Sequence, residues 1–115
     1  MSQTWSVQIN GKPPASFDPD VFGTNSGQPL KAEIGDLVSW NNRSKEDHQI
    51  AVTNPQGTVV FTTEVIKYSL SSFPGYVIQQ ADASAGTVYY YCTLHLKDKK
   101  PTERGMITLP QAVQP

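Results

Sequence analysis

The sequence predicts an all-β sandwich or barrel of about eight strands, and three observations carry that expectation. Strand-like runs recur at short spacing along the 115 residues. No segment keeps apolar residues at i, i+3, i+4 and i+7 for three turns, so no helix is expected. Nine prolines and eight glycines punctuate the chain between the runs.

The first run, Trp5 to Ile9, alternates apolar and polar residues with period two and ends on the turn pair Asn10-Gly11. Lys12 to Pro29 is polar and rich in Pro and Gly, with Phe17, Val21 and Phe22 available to pin it to a core. Leu30 to Ile34 reads as a strand. Gly35-Asp36 turns into a third, Leu37 to Trp40. Asn41 to Asp47 is a polar loop, and His48 opens the strand that runs to Val52. After the turn Asn54 to Gly57, Val59 to Phe61 gives a short strand, while Glu64 to Ser72 fits strand or irregular structure. Phe73-Pro74-Gly75 breaks the chain and Tyr76 to Ile78 restarts it. Ala81 to Gly86 reads as a turn of small residues, Thr87 to Cys92 as a strongly β-forming strand, and Leu94 to Arg104 as a charged loop. Gly105 to Leu109 is the last strand, stopped by Pro110.

Length fits one domain over residues 1–115. A hydrophobic share of 37% supports a packed core and argues against disorder. Net charge is −1, so nothing global points to nucleic acid or an anionic membrane, and no apolar run would span a bilayer. Met1 to Trp5 lacks the basic and apolar regions of a signal peptide. A single cysteine excludes an internal disulfide and argues against a structural zinc site.

The chemistry concentrates in Tyr89 to His95, which holds the only cysteine, Cys92, and one of two histidines, His95. A thiolate and two neutral imidazoles form a trigonal, soft ligand set that suits copper cycling between two oxidation states, with a weak axial fourth ligand. Cys92 and His95, three residues apart at a strand end, can reach one ion. The third ligand, His48, must be brought by the fold. If Cys92 points inward, so do Tyr90 and Val88, while Tyr89 and Tyr91 point outward. Taken singly, a lone cysteine is most often a small buried hydrophobe and each histidine a surface residue. Together they point to a metal site. Gln49 and Asn42 are placed to support the Cys92–Thr93 backbone. Lys97, Lys99, Lys100 and Arg104 beside His95 read as a solvated loop or as a basic rim that steers an acidic redox partner.

Four segments resemble the cupredoxins, the small blue-copper family that includes plastocyanin and amicyanin. They are Gly35-Asp-Leu-Val-Ser-Trp40-Asn-Asn42 with His48, then Phe73-Pro-Gly75, then Ala85-Gly86 through Cys92-Thr-Leu-His95, then Gly105-Met-Ile-Thr-Leu109. The resemblance implies a cupredoxin-like Greek-key β-sandwich and one copper ion on His48, Cys92 and His95. It also implies an exposed Tyr91 beside Cys92 as part of an electron-transfer patch.

It departs at the axial ligand. The family usually places a methionine two residues before the glycine that opens the last strand, and here that residue is Glu103. Met106 falls after the glycine and has the wrong strand parity, whereas Glu103 has the core parity. Three arrangements stay open: Glu103 binds, a bulge swings Met106 in, or the position is empty or filled by a backbone oxygen or water. The reading leans to Glu103 or none.

The function implied is a one-electron carrier between redox partner proteins, such as a cytochrome or a copper oxidase or reductase, rather than an enzyme. The resemblance further implies a monomer, periplasmic or exported, whose leader is absent from the sequence. The alternatives are a red-copper type protein with an open or carboxylate-ligated site acting as enzyme or sensor, a copper chaperone or storage module, or a metal-free interaction domain. A chaperone usually exposes several Met or His, and this chain has only Met1 and Met106 as methionines. A binuclear copper centre needs a second cysteine.

Overall fold

A computed structural model of the chain describes residues 4–11, 16–18, 30–72 and 75–109. Its strands are β1 (Thr4–Asn10), β2 (Ser16–Asp18), β3 (Leu30–Lys31), β4 (Leu37–Asn42), β5 (Ile50–Thr53), β6 (Val59–Thr62), β7 (Tyr76–Val77), β8 (Thr87–Cys92), β9 (Leu96–Lys97), β10 (Lys100–Pro101) and β11 (Arg104–Thr108). One short helix, α1 (Gln80–Ala85), precedes β8. The strands form a four-stranded sheet in the order β2-β1-β4-β7, a five-stranded sheet in the order β3-β11-β8-β5-β6, and the small hairpin β9-β10.

Period-two alternation builds the core between the sheets. Val7 and Ile9 of β1, Val38 and Trp40 of β4, Val88, Tyr90 and Cys92 of β8, and Ile107 of β11 are all buried. Phe17 and Trp40 meet the Tyr90 ring edge-on at 5.0 and 5.2 Å. β1 runs parallel to β4, so Trp5 lies opposite Val38 and Ile9 opposite Asn42. A side chain on Gly75 would come within 2.5 Å of the Val38 carbonyl oxygen, so only glycine lets this chain pass β4.

Several sequence expectations change. The run from Leu30 to Ile34 is a strand only at Leu30–Lys31, because Ile34 lies in the turn before β4 and is exposed. Residues 81–86 are not merely a turn. Residues 81–85 belong to the six-residue helix Gln80–Ala85, too short for any apolar period, and Gly86 in the left-handed conformation ends it. The Asp82 carboxylate caps its start by accepting the Gln79 N–H at 2.7 Å. The loop after His95 contains a real hairpin, in which Asp98 and Lys99 take φ values of 52° and 66°, the geometry of a two-residue turn. Residues 64–72 are irregular, tied down by the bridges Asn41–Ser71 and His48–Ile66. Val21, Phe22, Phe73 and Pro74 lie outside the described residues. Among the described residues, no helix is long and apolar enough to cross a membrane.

Candidate metal centre

The end of β8 meets the starts of β11 and β5 at one edge of the sandwich. Cys92, the last residue of β8, is inward by strand alternation and lies opposite Ile50 on β5. The β8–β11 ladder continues past the named strand: the Cys92 N–H donates to the Glu103 carbonyl at 3.0 Å. Glu103 therefore stands across from Cys92. It keeps the parity of Gly105, Ile107 and Leu109, all buried, and is itself buried. His48 is held two residues before β5 by a two-way backbone bridge to Ile66, at 3.1 and 2.6 Å. His95 sits where the chain turns out of β8. Thr102 closes that turn by donating its hydroxyl to the His95 carbonyl at 2.7 Å.

These elements bring four donor atoms together. One ligand atom from each of His48, Cys92, His95 and Glu103 lies within 4.8 Å of every other. The Glu103 Oε1 is 2.9 Å from His95 Nδ1 and 3.2 Å from His48 Nδ1. Cys92 Sγ is 3.4 Å from His95 Nδ1. Tetrahedral bonds of about 2.0–2.3 Å to one ion give edges of roughly 3.3–3.8 Å, close to the 3.2 and 3.4 Å separations at His48 and Cys92. The two imidazole rings meet edge-on at 4.8 Å. His48, Cys92 and Glu103 are buried, and the His95 side chain, 19% exposed, is the one member of the four that reaches the surface.

Hydrogen bonds fix how the donors point. His48 Nε2 is 2.7 Å from the Ser44 hydroxyl oxygen. Ser44 is itself held by the Asn42 side-chain oxygen, which accepts the Ser44 N–H at 2.8 Å. The Ser44 hydroxyl donates to the Glu46 carbonyl at 3.2 Å, which leaves its oxygen to accept from His48 Nε2–H and leaves a lone pair on His48 Nδ1. That Nδ1 is buried and has no directed hydrogen bond, although the Glu103 oxygen is near. A bare nitrogen lone pair and a carboxylate aimed at one buried point are costly together unless a proton or a metal cation lies between them. The donor set thus fits a metal ion.

Burial pushes the Cys92 thiol up. The backbone N–H groups of Gln49 and Leu94 oppose this by donating to the sulfur, and the nearby Glu103 carboxylate adds to it. Gln49 grips Thr93 twice: its carbonyl accepts the Thr93 N–H at 2.8 Å, and its side-chain oxygen accepts the Thr93 hydroxyl at 2.7 Å.

Of the two axial candidates, the structure brings Glu103 to the histidines and leaves Met106 on the opposite face. Met106 pairs with the outward-facing Tyr89, and the β8–β11 register runs unbroken from Arg104 to Thr108, so no bulge turns Met106 inward. Asn42 does not reach the Cys92–Thr93 backbone. Its amide donates to the Glu46 and Ile66 carbonyls at 2.7 and 2.8 Å and shapes the loop that carries Ser44 and His48. The sequence reading missed Ser44, because a serine four residues before a histidine in a polar loop carries no signal of its own. Tyr91 faces outward and half-buried, as its parity requires, and lines a shallow surface groove with Tyr89 and Arg104.

No family model and no curated protein sequence matches the chain. Solved structures do. A reduced, Cu(I) form of an amicyanin variant at pH 4 superposes with a TM-score of 0.64 at 19% identity, over 93% of this chain and 82% of that one. An oxidised amicyanin variant does so with a TM-score of 0.64 at 20% identity, over the same shares. A purple cupredoxin from Nitrosopumilus maritimus matches with a TM-score of 0.64 at 18% identity, over 92% of this chain and 99% of that one. The fold is that of a cupredoxin.

Proposed function

We propose that the protein holds one copper ion on His48 Nδ1, Cys92 Sγ, His95 Nδ1 and Glu103 Oε1, and carries single electrons between redox partner proteins. The observation that carries this reading is the buried Glu103 carboxylate facing both imidazoles beside the only cysteine. When bound, copper supplies a one-electron couple and a strong thiolate charge-transfer band. The protein's part is to hold the donors still. Ser44 orients His48, Gln49 and Leu94 hold the sulfur, and the β8–β11 ladder holds Glu103 across from Cys92. The anionic, hard Glu103 oxygen favours the oxidised state, so the potential lies below that of a methionine-ligated site. His95, the partly exposed donor, is the edge through which electrons pass.

The same carboxylate favours a second reading. An oxygen ligand at this position is the feature of the red-copper alternative, in which Glu103 yields its place to a small molecule and the protein acts as an enzyme or sensor. The resemblance supports a monomeric protein working in the periplasm or outside the cell.

Adding cupric ion to the purified protein and recording visible and paramagnetic resonance spectra tests the proposal. Intense colour is expected. Glu103→Gln shifts the spectrum, and Met106→Leu leaves it unchanged. No colour, or the reverse mutational pattern, contradicts it. Azide, a small anion, leaves the spectrum of a closed carrier site unchanged and alters that of the red-copper alternative.

A further inference from the structure

We propose that the hairpin between His95 and Glu103 is a docking surface for an acidic redox partner. The proposal rests on the electron-transfer reading above and names the partner's chemistry. Between the two donor residues the chain leaves the site, forms β9 and β10, and returns, with Lys97 paired to Lys100 and Leu96 to Pro101. The stem is closed at the site itself by Thr102 on the His95 carbonyl. A hairpin anchored in this way holds its charges at a fixed place beside the electron-passing residue.

The charge it holds is unlike that of the rest of the molecule. Lys97, Lys99 and Lys100 face a single acid, Asp98, giving +2 over four exposed residues. The whole chain carries −1, so the other residues, with six basic and nine acidic groups, carry −3. Glu103, the other acid between Thr93 and Arg104, is turned inward against the imidazoles and does not offset the lysines at the surface. Lys97 is two residues from His95 and Lys99 four, so the chain places them within roughly 7 and 14 Å of it. The first distance is inside the Debye length of about 8 Å at physiological salt and the second within about two such lengths, so the local field acts on an encounter at His95 and weakens as salt is added. Leu94 and Leu96, 45% and 48% exposed, flank His95 and supply an apolar contact inside the basic rim. An acidic face with an apolar centre complements this surface; a basic one is repelled.

The test uses the copper-loaded, reduced protein and hexacyanoferrate(III), a small anionic oxidant. The protein gives up one electron, the oxidant becomes hexacyanoferrate(II), and no proton or ligand moves. Net charge alone predicts repulsion, so the rate would rise with ionic strength. The hairpin predicts the opposite: a fall of roughly three- to tenfold between low and high salt. The variant Lys97→Gln, Lys99→Gln, Lys100→Gln keeps the visible spectrum and inverts the salt dependence. A rate for the unmutated protein that rises with salt, or a variant with an unchanged slope, overturns the docking surface while leaving the copper centre intact. A protein with no charge-transfer band overturns the copper centre and this proposal with it.

Discussion

The Glu103 carboxylate lies within reach of two imidazole nitrogens, and Ser44 decides which nitrogen His48 offers. Ser44→Ala leaves the His48 Nε2–H buried without an acceptor and lets the ring turn. Copper affinity, measured by competition with a chelator, is expected to fall about 10- to 100-fold. Ser44→Thr, which keeps the hydroxyl, is expected to retain most of it. Cys92 sets the pH dependence. Its thiol is held above the ordinary range by burial, so the metal-free folded protein keeps that proton to higher pH than the unfolded chain does. The resulting stability is complete below the ordinary thiol pKa and is lost as pH rises through the raised one. In the proposed centre copper takes the thiolate, so loading is expected to release a proton and apparent affinity to fall as pH falls. Calorimetric titration in buffers of different ionisation enthalpy measures that proton. At this scale the sequence was most readable: the unique Cys92 and the two histidines stood out by type and spacing, and strand parity favoured Glu103 over Met106 while leaving open a bulge or an axial position without either side chain. Ser44 was not readable, because its partner is chosen by how Asn42 folds the loop.

At the scale of elements, β8 and β11 do the positioning. Gly105 lies beneath the Tyr90 ring, and a Cβ there would overlap the ring atoms. Gly105→Ala forces Tyr90 or β11 to shift, at a cost of roughly 1–3 kcal/mol by denaturant unfolding. It also moves Glu103, two residues away, so the copper spectrum changes with it. The helix α1 is tied to β7 by the Tyr76 hydroxyl, which donates to Asp82. Burial, with the Asp82 carboxylate adding to it, holds the Tyr76 hydroxyl well above the ordinary tyrosine range. A raised folded-state value means the stabilisation is full below about pH 10 and is lost as pH rises further. Tyr76→Phe removes that part of the alkaline loss, which urea melts at pH 8 and pH 11 would reveal. The alternating strands were legible from their period of two. The helix and the β9-β10 hairpin were not, since six residues hold no apolar period and an Asp98-Lys99 turn lacks the glycine that usually marks one.

For the whole molecule, the sandwich is a frame that draws His48 forty-four residues along the chain to Cys92. The order of the strands could not be read from local patterns, because the parallel pairing of β1 with β4 and of β3 with β11 joins segments far apart in sequence. We expect residues 1–115 to unfold as one unit, with tryptophan fluorescence and the charge-transfer band lost together. Copper at about a thousand times its dissociation constant adds roughly 4 kcal/mol, which raises the melting temperature by about 10–20 °C.

The most direct measurement is a crystal structure of the copper-loaded protein with anomalous diffraction at the copper edge. A single copper peak within bonding distance of His48 Nδ1, Cys92 Sγ, His95 Nδ1 and a Glu103 oxygen is predicted. A peak bound to Met106 with Glu103 turned away, or no peak among these residues, would contradict the centre described here.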